Sequence, residues 1–282
     1  MNFTFYARFN TMAVRDGIEA AADYAVRMGF SSVEFLESTS PNARFLAPDT
    51  KKAAEIRKIL ADRGLTVACY SVGTTLWQNP QAVESLKRHA EIAAALGSPF
   101  LHHTLLLWLT KTPDLPEFAP AMEYVTDAAA DVARHAAPLG VTCLYEDQGM
   151  YANGVENFGI FFKEIRNRCA NTGVCGDIGN ILFVDEEPEA FFAAYAGDIR
   201  HVHMKDYLRK SAPVSPGRYW MPTAGGSWIR DTMVGHGVID FGACMKILKD
   251  AGYTGAWALE NDHPEPFEEG VVQAMQYLKR YE

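Results

Sequence analysis

Residues 173–206 read GVCGDIGNILFVDEEPEAFFAAYAGDIRHVHMKD and contain two strand-like segments with a helical pattern between them. The first segment, 173–180, contains Asp177 close to its end, and the second, 199–206, contains His203 in the same position. A strand, a helix and a second strand in this order form the repeating unit of a parallel sheet, and the carboxyl ends of its strands meet at one edge. The stretch therefore predicts a parallel sheet in which Asp177 and His203 lie close together.

The same alternation of strand-like and helical segments extends over the whole chain. Eight such units predict one α/β domain over residues 1–282, a (β/α)8 TIM barrel, although the count alone leaves an open sheet as an alternative. The predicted strands are 2–9, 32–37, 66–72, 99–105, 141–147, 173–180, 199–206 and 255–261.

Glycines mark the ends of many of the helical patterns, one step before the next strand. Glycine there supplies the left-handed conformation that a tight turn from helix to strand requires. These glycines are Gly29, Gly64, Gly97, Gly140 and Gly252. The predicted helices are 16–28, 50–63, 80–96, 117–138, 154–170, 187–196, 241–251 and 264–281.

One long stretch, 207–240, shows neither the apolar periodicity of a helix nor that of a strand, and it follows the strand that carries His203. Structureless loops of this length are uncommon in compact domains and are usually functional or disordered. We therefore interpret 207–240 as a lid-like insertion over the carboxyl ends of the strands.

The amino-acid composition limits which kinds of molecule the protein is expected to bind. The 282 residues carry a net charge of -9, which argues against a nucleic-acid partner because phosphates attract a basic surface. No apolar run approaches the roughly 20 residues of a membrane helix, and no secretory signal is visible at the amino terminus. The five cysteines are odd in number and scattered, as in a reduced cytoplasmic protein. We expect a cytoplasmic protein with a small-molecule substrate.

Four strand-like segments in the second half each end in a metal-ligand type of residue: Glu146, Asp177, His203 and Glu260. Any one of these carboxylates alone would more simply be a helix cap or a surface charge, and His203 alone a hydrogen-bonded core histidine. Four in chain order at one barrel mouth would converge, and three carboxylates repel one another unless a cation compensates them. The set predicts one divalent cation, with Mn²⁺ as the first candidate and Co²⁺, Mg²⁺ or Zn²⁺ as alternatives.

Further polar or aromatic side chains at the same rim are candidates for contacting a substrate. Glu37 and His103 end the second and fourth strands, Lys205 is in phase with His203, and Trp108 lies in a rim loop. Three of them have a structural alternative: a partner for His102 or Glu146 in the case of His103, a salt bridge with Asp206 or another rim acid for Lys205, and lid packing or a subunit interface for Trp108.

The segments around these residues resemble the xylose-isomerase-like TIM barrels, and specifically the sugar phosphate isomerase/epimerase group that includes the ketose 3-epimerases. The resemblance covers essentially the whole chain. Its specific motifs are an HxH segment, residues 201–203, and a G-x-G-x-I-D turn, residues 235–240. It implies that Glu146, Asp177, His203 and Glu260 bind one divalent cation and that the two glutamates exchange protons with the substrate.

Two further positions in that family hold oxygen atoms of the substrate. The resemblance implies Arg209 for one of them. The other, three residues after the aspartate, is a histidine in the ketose epimerases and Asn180 in this chain. Asparagine forms hydrogen bonds but carries no proton, so the resemblance implies a related substrate that is handled differently.

The predicted function is a metal-dependent isomerase or epimerase of a keto-sugar or cyclitol. Glu146 and Glu260 would act as acid and base on either side of an enediolate. The same enediolate leads to epimerisation, isomerisation or β-elimination, so a lyase acting on an oxidised sugar, such as a 3-keto-glycoside, is the alternative. The resemblance adds a homo-oligomer, and for the lyase a small partner subunit. Hydrolysis and a binding role without turnover are the remaining classes.

Overall fold

Eight parallel strands close into a barrel in the computed structural model, which describes residues 1–38, 46–106, 116–260 and 267–281. The barrel strands are β1 Asn2–Phe5, β2 Ser32–Ser38, β3 Thr66–Gly73, β4 Phe100–His103, β5 Thr142–Glu146, β6 Thr172–Asp177, β7 Ile199–Met204 and β11 Ala256–Leu259. Around the barrel they follow the order β1-β11-β7-β6-β5-β4-β3-β2, and β1 pairs with β2 to close it. This confirms the predicted (β/α)8 TIM barrel.

Helices between these strands surround the barrel. The five glycines predicted to end helices all adopt positive φ, from 73° to 88°. No helix in the described ranges is long and apolar enough to cross a membrane. The helices are α1 Arg8–Asp16, α2 Ile18–Met28, α3 Thr50–Ala61, α4 Pro80–Leu96, α5 Phe118–Ala136, α6 Val155–Arg168, α7 Pro188–Tyr195, α8 Phe241–Asp250 and α9 Phe267–Leu278.

The first predicted strand is too long. Residues 2–9 were predicted to be one strand, but β1 ends at Phe5 and helix α1 begins at Arg8. The alternation of apolar residues in NFTFYARF is typical of a strand. In the structure, however, Phe9, Met12 and Ala13 pack inward at the spacing of a helix face. A helix that sequence patterning missed therefore follows β1 at once.

The insertion after β7 has regular structure, contrary to the expectation that 207–240 is irregular. It contains β8 Asp206–Ser211, β9 Met221–Pro222 and β10 Ser227–Thr232, which form an antiparallel sheet in the order β8-β10-β9. Few of its residues are buried, so the period-two pattern of a half-buried strand is weak in its sequence. Its function as a lid stays a prediction.

One carboxylate ties the two ends of the insertion together. Asp206 accepts hydrogen bonds from the backbone N–H of Tyr207 at 2.9 Å, Gly235 at 3.0 Å and Gly237 at 2.8 Å. Because the carboxylate is buried, these bonds compensate for the water it has lost. The turn at residues 235–240 is therefore built around the Asp206 side chain.

Stability should fall in mild acid because of a histidine in the helical layer. His89 on α4 is buried against the Tyr70 hydroxyl, at 2.9 Å, and burial lowers its pKa from 6.5 to about 4. Between these values the unfolded chain binds a proton that the folded chain does not, so stability falls as pH falls. The His89 contribution to this loss between pH 7 and pH 5 is about 2 kcal/mol.

Urea denaturation of the wild type and of His89→Gln at both pH values measures this contribution. Every other titratable group is present in both proteins, so the difference between the two pH-dependent losses isolates His89. Equal losses in the two proteins would contradict the prediction.

Candidate metal centre

The four side chains predicted as ligands converge at the carboxyl ends of their strands. Glu146, Asp177, His203 and Glu260 each present a ligand atom, and these atoms lie within 4.8 Å of one another. The Nδ1 atom of His203 is 2.7 Å from Glu146 Oε1 and 3.4 Å from Glu260 Oε2. The two glutamates therefore approach one imidazole nitrogen from β5 and from the end of β11, with β6 and β7 between them.

Backbone N–H groups fix the orientation of Asp177. Its Oδ1 atom accepts hydrogen bonds from Gly179 N at 2.7 Å and Asn180 N at 2.8 Å. Its own N–H donates to Asp147 Oδ1 at 2.9 Å. Since Oδ1 is held by the turn after β6, Oδ2 is the oxygen that Asp177 presents to the cluster.

A lysine lies among the three carboxylates. The Nζ atom of Lys205 is 2.7 Å from Glu260 Oε1 and 3.2 Å from Asp177 Oδ2, and it donates to Asn180 Oδ1 at 3.3 Å. Burial lowers the pKa of Lys205, but the charges of Asp177 and Glu260 outweigh it and hold the pKa well above its usual value. Lys205 therefore carries a positive charge within the cluster itself.

The residues at this mouth fit a divalent cation. Carboxylate oxygens of Glu146, Asp177 and Glu260 and a ring nitrogen of His203 lie close enough together to bind one ion. Burial raises the pKa of the Glu146 carboxyl, because removal from water disfavours the charged carboxylate. Three carboxylates and one imidazole form a donor set that suits Mn²⁺, Mg²⁺ and Zn²⁺.

A second polar layer lies inside the barrel, on the side of the cluster toward the amino-terminal ends of the strands. Glu34 on β2 lies 2.6 Å from His201 Nε2 and 3.1 Å from His203 Nε2. Ser71 donates to Glu34 and contacts His102 Nδ1 at 2.8 Å. The other nitrogen of His102 is 3.7 Å from Glu146 Oε2, so this layer contacts the cluster at two points.

Comparison with known proteins agrees with this architecture. A family model described as a xylose isomerase-like TIM barrel matches residues 22–281. The chain belongs to this family. The match begins within α2 and includes all four residues of the cluster.

Solved structures with the xylose isomerase-like fold superpose over nearly the whole chain. D-psicose 3-epimerase with D-tagatose, from Clostridium cellulolyticum H10, is 15% identical with a TM-score of 0.74, covering 100% of this chain and 98% of that one. A xylose isomerase-like TIM barrel protein from Mycobacterium smegmatis, in complex with magnesium, is 16% identical with a TM-score of 0.71, covering 93% and 87%. At these identities the likeness establishes the fold.

Among curated proteins, an inosose dehydratase from Clostridium beijerinckii is 31% identical over 110 residues. The match covers 36% of this chain and 36% of that relative. The chain therefore matches only about a third of the relative's length.

Two residues predicted to contact substrate lie on the helix side of the barrel wall. The His103 ring packs edge-on against Tyr145, which itself packs against Phe161 of α6, and burial lowers the pKa of His103 to about 4. Because strand neighbours face opposite sides, it is His102 that points inward. Glu37 accepts a hydrogen bond from Leu46 N at 3.1 Å, and burial raises its pKa to about 7.

The remaining predicted residues take different positions. Asn180 is buried beside Asp177, and its Nδ2 atom has no hydrogen-bond partner among the described residues. Arg209 on β8 pairs with Glu187 at 2.9 Å, just before α7, and not with the cluster. Trp108 lies outside the described residues.

Glu34, Ser71, His102 and Tyr6 are absent from the predicted site. Tyr6, just after β1, stacks on the His203 ring at 4.6 Å between ring centroids. The available signal for Glu34 was an acid within the apolar segment SVEFLE, in phase with the small residue Ser32. A buried carboxylate requires hydrogen-bonding partners, and the HxH segment provides two of them.

Proposed function

We propose that this protein is a divalent-metal-dependent isomerase or epimerase of a keto-sugar or cyclitol that acts through an enediolate. The observation that supports it is the placement of Glu146 and Glu260 on either side of the His203 Nδ1 atom. Two carboxylates that reach one site from separate strands can serve two faces of a single substrate carbon. That arrangement suits removal of a proton from one face of the carbon and return of a proton to the other face.

In the proposed reaction one glutamate removes the proton from the carbon next to the carbonyl. The electron pair of the broken C–H bond moves toward the carbonyl oxygen and gives the enediolate. The other glutamate returns a proton to the opposite face of the same carbon, which inverts it. Return of the proton to the former carbonyl carbon gives an isomer instead.

Hydrogen-bond donors beside the glutamates suit the negative charge that develops on the substrate oxygens. Lys205 lies 2.7 Å from Glu260, and Asn180 Nδ2 is a buried donor without a hydrogen-bond partner among the described residues. A donor placed before the reaction stabilises such charge at little cost of reorganisation. We therefore propose that Lys205 and Asn180 hold substrate oxygens, as the sequence predicts.

Glu146, Asp177, His203 and Glu260 would hold the cation. When bound, it supplies a Lewis acid that polarises the substrate carbonyl. The oxygen-rich donor set favours Mn²⁺ as the first choice, and the Mycobacterium smegmatis structure contains magnesium.

A lyase is the second candidate, and the match to inosose dehydratases favours it. Loss of water next to a keto group begins with the same proton removal, and the enediolate then expels a leaving group from the adjacent carbon. Lys205 or a protonated glutamate would supply the proton that the leaving oxygen needs. We propose a homo-oligomer for either reaction, and a small partner subunit for the lyase alone.

Deuterium exchange tests the proposal and separates the outcomes. The protein is loaded with Mn²⁺ and incubated in D₂O with ketoses, inososes and 3-keto-glycosides, and the products are followed by NMR. We expect deuterium at a carbon next to the carbonyl, and removal of the cation by a chelator should stop the exchange. The products distinguish epimer, isomer and elimination. Absence of exchange with every compound, despite bound cation, would overturn the enediolate proposal.

A further inference from the structure

Five buried side chains surround one another inside the barrel, and hydrogen bonds join them in a single chain. From Glu34 the hydrogen bonds lead through Ser71 to His102 on one side and through His203 to Glu146 on the other. The two ends of the chain, His102 Nε2 and Glu146 Oε2, are 3.7 Å apart, beyond hydrogen-bond distance. All five residues are buried, with Glu34 and Ser71 fully so. Two members of this chain of hydrogen bonds, Glu146 and His203, belong to the candidate metal centre, and the other three do not.

Glu34 is the branching point of this chain of hydrogen bonds. It lies on β2, across the barrel interior from β7, and its two oxygens divide between two histidines. Its Oε2 atom is 2.6 Å from His201 Nε2, and its Oε1 atom is 3.1 Å from His203 Nε2. An ionised carboxylate only accepts hydrogen bonds, so both histidines present an Nε2–H group to it. On His203 this leaves Nδ1, which faces Glu146 and Glu260, as the nitrogen that a cation at the centre can bind in place of a proton.

We propose that Glu34 is a positioning residue for the metal centre, which fixes His203 so that its Nδ1 atom offers a lone pair to the cation. The inference rests on the proposed function, since it presumes that the four side chains bind a cation. Carboxylates that accept from the far nitrogen of a histidine ligand fix its tautomer and ring orientation, and their loss typically weakens metal binding about 10–100-fold.

The same carboxylate also determines how His102 faces the centre. Ser71 donates its hydroxyl proton to Glu34, so its oxygen accepts from His102 Nδ1–H. The Nε2 atom of His102 is then an acceptor, and it has no hydrogen-bond partner among the described residues. Glu34 thus orients two imidazoles, one on each side of Glu146.

Glu34→Gln separates positioning from simple structural support. The amide has almost the same shape as the carboxylate, but one of its two arms donates, so it no longer accepts from both histidines. Ser32→Ala is the matched control. Ser32 lies on the same strand and the same inward face, and its hydroxyl is buried 2.6 Å from Thr4 Oγ1, away from the two histidines.

Calorimetry with Mn²⁺ should show binding to Glu34→Gln that is about 10–100-fold weaker than to the wild type, with Ser32→Ala within about threefold. The Co²⁺ absorption spectrum of Glu34→Gln should also change, and thermal melting of the two cation-free variants checks that both are folded. Equal Mn²⁺ affinity in Glu34→Gln and the wild type would overturn the inference. A wild type that binds no cation would instead overturn the proposed function.

The wild type provides a test that does not depend on the folding of a variant. In protein labelled with ¹⁵N-histidine and loaded with Zn²⁺, the NMR spectrum should show His203 with its proton on Nε2. A proton on Nδ1 of His203 in the Zn²⁺-loaded protein would contradict the inference.

Discussion

Glu146→Gln is expected to abolish turnover and to weaken cation binding. Glu146 is the last residue of β5, and its side chain is buried. Its Oε1 atom lies 2.7 Å from His203 Nδ1, so both side chains can bind the same cation. Glutamine keeps the shape of the side chain but removes a negative charge and the ability to accept a proton from carbon. Loss of a general base lowers kcat by about 10²–10⁴-fold, and loss of a ligand lowers the occupancy as well.

Steady-state kinetics at saturating Mn²⁺ and calorimetry on the cation-free protein measure the two effects separately. His236→Ala is the control, because His236 is exposed in the turn between Gly235 and Gly237. It should stay within about twofold of the wild type in both assays, as expected for a surface substitution. If Glu146→Gln retained full activity on a substrate identified by deuterium exchange, the mechanism proposed for Glu146 and Glu260 would have to be abandoned.

The barrel is predictable from the sequence because its signals are local and repeated. Each βα unit carries an apolar strand, a helical pattern and often a glycine such as Gly97 with φ of 77° at the end of the helix. The segments that were missed carry weaker signals. In α1 the strand-like alternation of NFTFYARF continues from β1, and only the packing of Phe9 and Met12 shows that the chain has turned into a helix.

The four candidate ligands and the polar layer around Glu34 also differ in how clearly the sequence predicts them. Glu146, Asp177, His203 and Glu260 come at the ends of consecutive strands, so barrel topology alone brings them together. Glu34 meets His203 across 169 residues of chain, and their contact depends on how far each side chain reaches across the barrel interior. The phase of β4 determines whether His102 or His103 points into the barrel, because a shift of one residue exchanges the inward and outward faces of a strand.

Gly237→Ala is expected to destabilise the turn that closes the insertion. A methyl group at this position would overlap both the Asp206 carboxylate and the carbonyl oxygen of Tyr207. The carbonyl is backbone and belongs to β8, so it moves only if the small sheet moves. Overlap of this kind, with weakened hydrogen bonds to a buried carboxylate, should cost about 3 kcal/mol.

Urea denaturation measures the global loss, and limited proteolysis within 207–240 shows whether the insertion detaches first. Gly197→Ala is the control, since a methyl group there meets no atom within 4 Å. Detachment without global unfolding would separate the insertion from the barrel, whose eight strands pair without it. If 207–240 covers the substrate, the detached variant should have a higher KM and an unchanged affinity for the cation. The reason is that β8 begins two residues after the end of β7, directly beyond Lys205. Unchanged KM in a detached variant would contradict the prediction that 207–240 covers the substrate.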